Sequence, residues 1–433
     1  MPENLIHPPG PSKAYDINTS DEAFVKIGEL FERYGDVVKI KSESRNNDSY
    51  LINNPDYIKH ILLKNPQNYK KGLGFERVKM LLGNGVIVSD GVFWRKQRRM
   101  IQPAFSRSMI AAQVEMVQRC NLQRLEKWRK IEESGEPIDI SFEASDLSLE
   151  IILRLLFSDD LDTLLDKIET NPFSFLTEDS ERDMRFVLKF RTLMKLLQEL
   201  IQARRESKKE YNDFLSVFIE ARDKDSGEAM TDKELLDEVM TLIIAGHETS
   251  AITLTWVWYF MAKNPEVDQA VNEEIIQAGF SAAPGFSDLE NLSYIKQVTE
   301  EALRVYPPVW LYSRKAIEAD QLGEYSIPAG ADLFISPYYL HRNKEYWKNP
   351  EDFLPQRFGS EEKKVQHKFS YIPFSAGPRR CIGDFFAIVE TQIHVGLMAK
   401  EFRFELCDDK VPSLEAAINM RAKDPIMLKI NKR

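Results

Sequence analysis

Apolar residues recur at helical spacing along most of the chain, and short stretches of alternating polar and apolar residues interrupt them. The pattern predicts a long helix from about residue 232 to 263, because Thr231 and Glu234 form a capping box at its start. Further helices are predicted over 293–305 and 384–402. Strand-like alternation occurs at residues 37–40, 49–52, 324–327, 332–336 and 402–406.

These elements predict a mainly α fold with a small β-rich lobe. The lobe is expected to comprise about residues 34–60 and 311–341 together with the C-terminal strands. No linker, repeat or low-complexity stretch divides the 433 residues, and 43% of them are hydrophobic, enough for a large core. We therefore expect a single domain over residues 1–433.

Composition and charge narrow the possible functions. The net charge of −10 argues against a nucleic acid partner. Three cysteines cannot form a disulfide framework and suit a reducing compartment. Residues 1–16 contain no apolar stretch, so we expect neither a signal peptide nor a membrane anchor, and we expect a cytoplasmic location. The longest apolar stretch, 239–262, has a polar centre and predicts a core helix.

One cysteine lies in a decapeptide with a distinctive spacing. Residues 374–383 read FSAGPRRCIG, that is F-x-x-G-x-R-x-C-x-G, and Cys381 directly precedes the last predicted helix. A helix N-terminus stabilises a thiolate through its free N–H groups and its dipole. The motif resembles the heme-ligand loop of the cytochrome P450 superfamily. The resemblance implies a cytochrome P450 fold with heme b as the cofactor. Cys381 would bind the metal, which is the heme iron.

The resemblance also assigns roles to the neighbours of Cys381. Phe374 would cover the sulfur, and Arg379 would face a carboxylate of the macrocycle. Gly377 and Gly383 would let the backbone approach the porphyrin plane, because neither carries a Cβ. Further cofactor contacts are expected from Ile382 and Ala387.

The centre of the long helix reads AGHET, from Ala245 to Thr249, and resembles the oxygen-activation signature of the same family. Ala245 and Gly246 would leave a flat face for the heme. The Thr249 hydroxyl can bond the carbonyl of residue 245, which would loosen the helix and open a groove. Thr249 and Glu248 would be the catalytic residues, as a proton relay. We interpret His247 as a satisfied polar residue and not as an iron ligand.

Two further segments predict a structural cluster. Glu301 and Arg304 lie three residues apart on a predicted helix and share one face. With Arg357 in the segment PQRF they resemble the family's ExxR and Pro-x-Arg-Phe motifs. The resemblance implies a buried cluster that braces the heme pocket.

The segment WRKQRR, residues 94–99, resembles the family's W-x-x-x-R pair. Trp94 and Arg98 would bond one heme propionate, and Arg314 the other. The three other cations in this segment would form a local positive patch that steers an acidic electron donor, ferredoxin or flavodoxin with its reductase. These residues are Arg95, Lys96 and Arg99.

The resemblance implies a monooxygenase that inserts one atom of O2 into a C–H bond of a small-molecule substrate. Oxidative O-demethylation is a possible variant. Two other enzyme classes stay open, a peroxide-using peroxygenase and an isomerase or dehydratase. A non-enzymatic gas sensor is disfavoured because Glu248 and Thr249 are both present.

The substrate itself is not predicted. Residues 73–88, 172–197, 244–249 and 309–312 are the candidate pocket segments, with aromatic residues such as Phe175 beside charged ones such as Glu178. Residues 82–105 resemble branches that hydroxylate fatty acids and terpenoids, which favours a lipophilic molecule over a small methoxylated one.

Overall fold

A computed structural model describes residues 6–166, 172–173, 184–207, 209–281, 283–359 and 367–433. Within these ranges the chain is mainly helical with small sheets, as the sequence predicts. The candidate pocket residues Phe175 and Glu178 lie outside the described residues. In the part of the chain that the structure describes, no helix is long and apolar enough to cross a membrane.

The helices have the following bounds: α1 (Asp21–Tyr34), α2 (Pro55–Lys59), α3 (Phe75–Leu82), α4 (Gly91–Ile101), α5 (Arg107–Ser134), α6 (Ile140–Phe157), α7 (Asp160–Asp166), α8 (Met184–Glu206), α9 (Phe214–Glu220), α10 (Asp232–Lys263), α11 (Pro265–Gln277), α12 (Ser293–Val305), α13 (Pro337–Leu340) and α14 (Asp384–Glu401).

The predicted bounds of α10 and α12 agree with the structure, and α14 ends one residue early. At the start of α10 the Glu234 N–H donates to Thr231 Oγ1 over 3.2 Å. The Thr231 N–H donates back to Glu234 Oε2 over 2.7 Å. This reciprocal pair confirms the predicted capping box, which satisfies two backbone donors that have no partner within the helix.

The strands have the following bounds: β1 (Val37–Ile40), β2 (Ser49–Ile52), β3 (Tyr69–Lys71), β4 (Ile138–Asp139), β5 (Tyr312–Ala316), β6 (Asp320–Leu322), β7 (Tyr325–Ile327), β8 (Asp332–Ile335), β9 (Phe402–Leu406), β10 (Leu414–Ala416), β11 (Met420–Ala422) and β12 (Met427–Lys432).

The chain divides into two units. The first comprises Met1–Arg77, Tyr294–Asp384 and Asp409–Asp424. It contains a five-stranded sheet of order β1-β2-β8-β5-β3, in which β2 and β8 pair in parallel. Successive residues of β2 enter different apolar clusters on the two faces of the sheet. Tyr50 belongs to one cluster and Leu51 to the other, so both faces are covered.

The second unit comprises Val78–Ser293, Phe385–Asp408 and Pro425–Arg433. Its centre is α10, which is apolar on nearly all sides and packs along α6. The strand predicted over 402–406 is present as β9, but it pairs with β12 in this helical unit and not in the β-rich one. The sequence pattern of a short strand does not specify its partner, which explains the difference.

Candidate active site

The loop before α14 carries Cys381 and belongs to the first unit. The Cys381 N–H donates to the Phe374 carbonyl over 2.9 Å, and the Arg380 N–H donates to the Gly377 carbonyl over 3.1 Å. These bonds close the loop tightly. Helix α14 begins at Asp384, so the thiol lies just before a helix N-terminus, as the sequence predicts.

The structure shows why the loop requires a glycine at position 377. Its φ is +67°, and a Cβ at this position would lie 1.8 Å from the carbonyl oxygen of Leu62. The close approach that only glycine permits is thus made to the backbone of the segment His60–Lys64. Spacing within the motif could not reveal this contact, because Leu62 is distant in sequence.

The face presented by this loop is open. Cys381 is exposed, and none of residues 373–385 is buried, although the set includes the apolar Phe374 and Ile382. Gly383, Ala387 and Arg379 are also only half-buried. An accessible thiol surrounded by half-buried apolar side chains could bind a large apolar cofactor through its sulfur. Heme is a cofactor of this kind.

In the second unit, helix α10 has a half-buried window at its centre. Residues 244–246, 248 and 249 are half-buried, whereas every other residue of 235–261 is buried. The Thr249 hydroxyl donates to the Ala245 carbonyl over 2.6 Å, as expected. The helix continues through this bond without a break. Glu248 is half-buried in the same window.

The structure shows which neighbour Gly246 faces. A Cβ at this position would lie 2.9 Å from Cδ1 of Ile152. Its lack of a side chain therefore allows α6 to pack closely against α10. The residue pattern alone could not indicate which neighbour Gly246 faces, because the packing partner lies almost a hundred positions earlier.

His247 is buried, and its Nε2 lies 2.9 Å from the Ser145 hydroxyl. Burial lowers the pKa of this imidazole to about 4, so it is neutral at pH 7. The interpretation as a satisfied polar residue is confirmed. Three positions later, the Ser250 hydroxyl donates to Glu390 of α14 over 2.8 Å, a contact that no motif indicated.

The structure brings Glu301, Arg304 and Arg357 together in the first unit. Arg304 and Glu301 are both 0% exposed and form a bidentate pair of 2.7 and 2.8 Å. Arg357 Nε lies 3.3 Å from Glu301 Oε1. Arg304 also donates to the carbonyls of His341 and Pro350 over 2.9 and 2.7 Å. Glu301 and Arg304 are thus buried together, as predicted, with Arg357 half-buried beside them, and their role at the heme pocket stays a prediction.

Sequence reasoning missed His341, which connects this cluster to the segment before the cysteine loop. Its Nε2 accepts the Ile372 N–H over 2.9 Å, so its Nδ1 carries the proton that is directed at the Arg304 carbonyl over 3.2 Å. Burial, with Arg304 nearby, holds the pKa of His341 well below its usual value. The sequence could not indicate that His341 connects these segments, because a single histidine after a predicted strand belongs to no motif.

Trp94 and Arg98 lie one helical turn apart on α4 of the second unit, and both are half-buried. The predicted positive patch is smaller than expected. Arg99 pairs with Asp223 and Asp225 over 2.9 and 2.6 Å.

Lys96 Nζ lies 3.5 Å from Glu228. Acidic residues thus offset two of the three predicted cations of the patch, and this pairing reaches across more than a hundred residues of sequence.

Arg314 lies on β5 of the first unit and is buried. Its guanidinium donates to the Ser313 carbonyl over 2.8 Å and lies 5.2 Å from the ring centre of Tyr312.

Comparison with known proteins identifies the family. The family model for cytochrome P450 matches residues 12–430, so the chain belongs to the cytochrome P450 family. Members of this family are heme-thiolate proteins with heme b as the cofactor. The family and the names of its relatives indicate that this chain is a cytochrome P450 monooxygenase.

Three relatives illustrate the similarity. Protein LUTEIN DEFICIENT 5, chloroplastic, of Arabidopsis thaliana is 30% identical over 95% of this chain and 74% of its own length. Cyclooctat-9-en-7-ol 5-monooxygenase of Streptomyces melanosporofaciens is 33% identical over 86% of this chain and 83% of its own. Carotene epsilon-monooxygenase, chloroplastic, of Arabidopsis thaliana is 27% identical over 95% of this chain and 82% of its own.

Proposed function

We propose that this cytochrome P450 hydroxylates a C–H bond of a lipophilic substrate, with terpenoid alcohols and hydrocarbons as the leading class. One oxygen atom of O2 enters the C–H bond, and the other becomes water with two protons and two electrons. The names of two relatives, an alcohol 5-monooxygenase and a carotene monooxygenase, support this substrate class. The observation that carries the reaction type is the half-buried window of α10, where Thr249 and Glu248 lie together.

When bound, heme supplies the iron that activates dioxygen. The role of Cys381 is to hold that iron through its thiolate, and its accessibility supports this assignment. Phe374, Gly377, Ile382, Gly383 and Ala387 would contact the macrocycle from the same loop and the start of α14. Ala245 would contact it from α10, while the packing of Gly246 against Ile152 makes its contribution indirect.

Heme is held by its carboxylates as well as by its iron. Trp94 and Arg98 would bond one propionate, because they are four residues apart on one helix and half-buried. Arg314 and Arg379 would pair with propionate oxygens from the first unit. The cluster of Glu301, Arg304 and Arg357 would keep the cysteine loop in place.

Thr249 and Glu248 would deliver protons. The Thr249 hydroxyl would exchange its bond with the Ala245 carbonyl for one to a water molecule and pass on a proton, while the Glu248 carboxyl would take up protons from solvent. Their joint exposure within a buried helix supports this assignment.

Because the family model covers both units, residues 1–433 would form one P450 domain. Electrons would come from a separate ferredoxin or flavodoxin with its reductase.

The test is reconstitution with spinach ferredoxin, its reductase and NADPH under labelled dioxygen, with terpenoids, fatty acids and methoxyarenes as candidate substrates. We expect one labelled oxygen atom in the product and activity that requires the electron donor. Turnover with hydrogen peroxide but not with ferredoxin would instead identify a peroxygenase. Products without label would identify an isomerase or dehydratase.

A further inference from the structure

The carboxylate of Asp320, at the start of β6, accepts hydrogen bonds from three side chains of one stretch of the chain. Its Oδ2 lies 2.8 Å from His60 Nε2, 3.0 Å from Asn65 Nδ2 and 2.6 Å from the Tyr69 hydroxyl. Its Oδ1 accepts the backbone N–H of Gln321 over 2.8 Å. Asp320 thus ties three positions of this stretch to one point of the first unit.

These bonds are strong because Asp320 is ionised. Burial raises the pKa of this carboxyl, but the bonds from Tyr69, His60 and Asn65 outweigh burial and lower the pKa to about 2. A carboxylate has no proton to donate, so His60 Nε2 carries the hydrogen of its bond. Hydrogen bonds to a charged acceptor are roughly twice as strong as those between neutral groups.

The stretch that Asp320 holds begins with a single π-helical turn, His60–Lys64, in which the Asn65 N–H donates to the His60 carbonyl over 2.8 Å. Such turns are rare and occur frequently at functional sites. At the centre of this turn lies Leu62, whose carbonyl oxygen would be 1.8 Å from a Cβ at Gly377. The turn held by Asp320 is therefore the one against which the cysteine loop packs.

Apolar side chains connect the same elements a second time. Leu62 and Leu322 belong to one buried apolar cluster, and Leu322 lies on β6, two residues after Asp320. Ala376 of the cysteine loop packs against this cluster. A displacement of the turn would therefore disturb both the backbone contact of the cysteine loop and the packing of its Ala376.

We propose that Asp320 and His60 are positioning residues, which act through the turn His60–Lys64 to hold the cysteine loop so that Cys381 remains a thiolate ligand. The loop is short, and the Cys381 N–H donates to the Phe374 carbonyl within it, so a shift of its backbone reaches the sulfur directly. A displaced sulfur leaves the iron and takes up a proton. This inference rests on the proposed function, because it takes Cys381 to be the iron ligand.

The test follows the absorption band of the ferrous–CO complex that is characteristic of a thiolate ligand, the thiolate band, and measures its lifetime in the heme-loaded protein. Asp320→Asn is the main variant. Both carboxylate oxygens accept hydrogen bonds, so the amide NH2 group faces a donor in either orientation. We expect this variant to lose the thiolate band at least about ten-fold faster than the wild type.

Asp16→Asn is the matched control. Asp16 is another carboxylate of the first unit that accepts several bonds, among them the Ser44 N–H over 3.1 Å and Arg45 Nη2 over 3.2 Å. This variant should lower the urea midpoint but keep the thiolate band as long as the wild type does. Low urea concentrations bring the wild type to the same free energy of unfolding as each variant, which identifies a lifetime that follows overall stability alone.

A pair of variants at His60 decides the question even if Asp320→Asn does not retain heme. His60→Ala should shorten the lifetime of the thiolate band, whereas His60→Gln, whose amide nitrogen can replace Nε2 as the donor, should keep it within about two-fold of the wild type. Equal lifetimes in these two variants, or in Asp320→Asn and Asp16→Asn, would overturn the proposal. A wild type without the thiolate band would instead refute Cys381 as the ligand, so the two failures are distinguishable.

Discussion

Ser250 and Glu390 join two helices of the second unit through a hydrogen bond that is fully buried. The Ser250 hydroxyl donates to Glu390 Oε2 over 2.8 Å, and both residues are less than a tenth exposed. Glu390 lies on the helix that follows the cysteine, and Ser250 directly follows Thr249. This carboxyl therefore links α10 and α14 within the core of the second unit.

The buried position of Glu390 predicts a pH-dependent stability. Burial raises the pKa of this carboxyl to about 7, against 4.5 for an ordinary glutamate. Between pH 4.5 and about 7 the Glu390 carboxyl keeps its proton in the folded chain and releases it in the unfolded chain. The contribution of Glu390 to the free energy of unfolding therefore falls as the pH rises through this range. Glu390→Gln should gain stability relative to wild type over the same window, by roughly 3 kcal/mol in total.

Urea denaturation between pH 5 and 8 measures this difference. Glu401→Gln is a control of opposite sign, because the hydrogen bond from Arg129 lowers the pKa of Glu401. Its wild-type contribution is lost only below pH 4.5, so the difference in stability between wild type and Glu401→Gln should stay constant between pH 5 and 8. Parallel curves for wild type and Glu390→Gln would contradict the buried, protonated assignment.

Gly377→Ala should damage the cysteine loop severely. The new Cβ would overlap the Leu62 carbonyl and would sit at a left-handed φ, for a combined cost of about 3 kcal/mol or more. Gly74→Ala is the control, because its φ is also positive but nothing lies within 4 Å of the added atom. Heme content after purification and thermal unfolding should both fall in Gly377→Ala, and only slightly in Gly74→Ala.

Arg304→Lys should destabilise the first unit although the charge is kept. A lysine cannot reproduce the bidentate pair with Glu301 together with the bonds to the His341 and Pro350 carbonyls. Breaking a buried pair of this kind costs about 3–5 kcal/mol. Arg421→Lys changes a half-buried surface pair with Glu415 and should cost less than about 1 kcal/mol. Similar denaturation midpoints for the two variants would refute the bracing role.

Thr249→Ala tests the proton delivery that we propose. The variant should still oxidise NADPH but should yield at least about ten-fold less product per NADPH, because reduced oxygen is released without reacting. Thr255→Ala removes a similar hydroxyl from the same helix and should leave coupling unchanged. Unchanged coupling in Thr249→Ala would remove this residue from the relay.

Cys381→Ala should lose the absorption band of the ferrous–CO complex that is characteristic of a thiolate ligand. Cys407 is also exposed, so Cys407→Ala controls for the loss of an accessible thiol and should keep that band. Survival of the band in Cys381→Ala would assign the iron ligand to another residue.

Interactions between residues close together in the chain could be predicted from the sequence. The start of α10 follows from Thr231 and Glu234, which are three residues apart, and the Thr249 bond to Ala245 follows from one helical turn. Both are local, so the pattern specifies them. The motif residues were identified by resemblance, and their roles in binding heme remain predictions.

The contacts that the sequence did not reveal are those between segments distant in the chain. The neighbours of Gly377 and Gly246, Leu62 and Ile152, come from other elements. The partners of Arg99 lie on a loop more than a hundred residues later. Such pairs depend on the packing of whole elements, and a single sequence carries no periodic signal for them.

The parallel pairing of Ser49–Ile52 with Asp332–Ile335 has a consequence for biosynthesis. The strand near the N-terminus leaves the ribosome early, but its partner follows only after most of the chain has been translated. Until then its apolar edge is unpaired and can associate with other chains. We therefore expect the helical segments to form first during translation. The yield of active protein should depend on chaperones that cover the unpaired edge of this strand until its partner is synthesised.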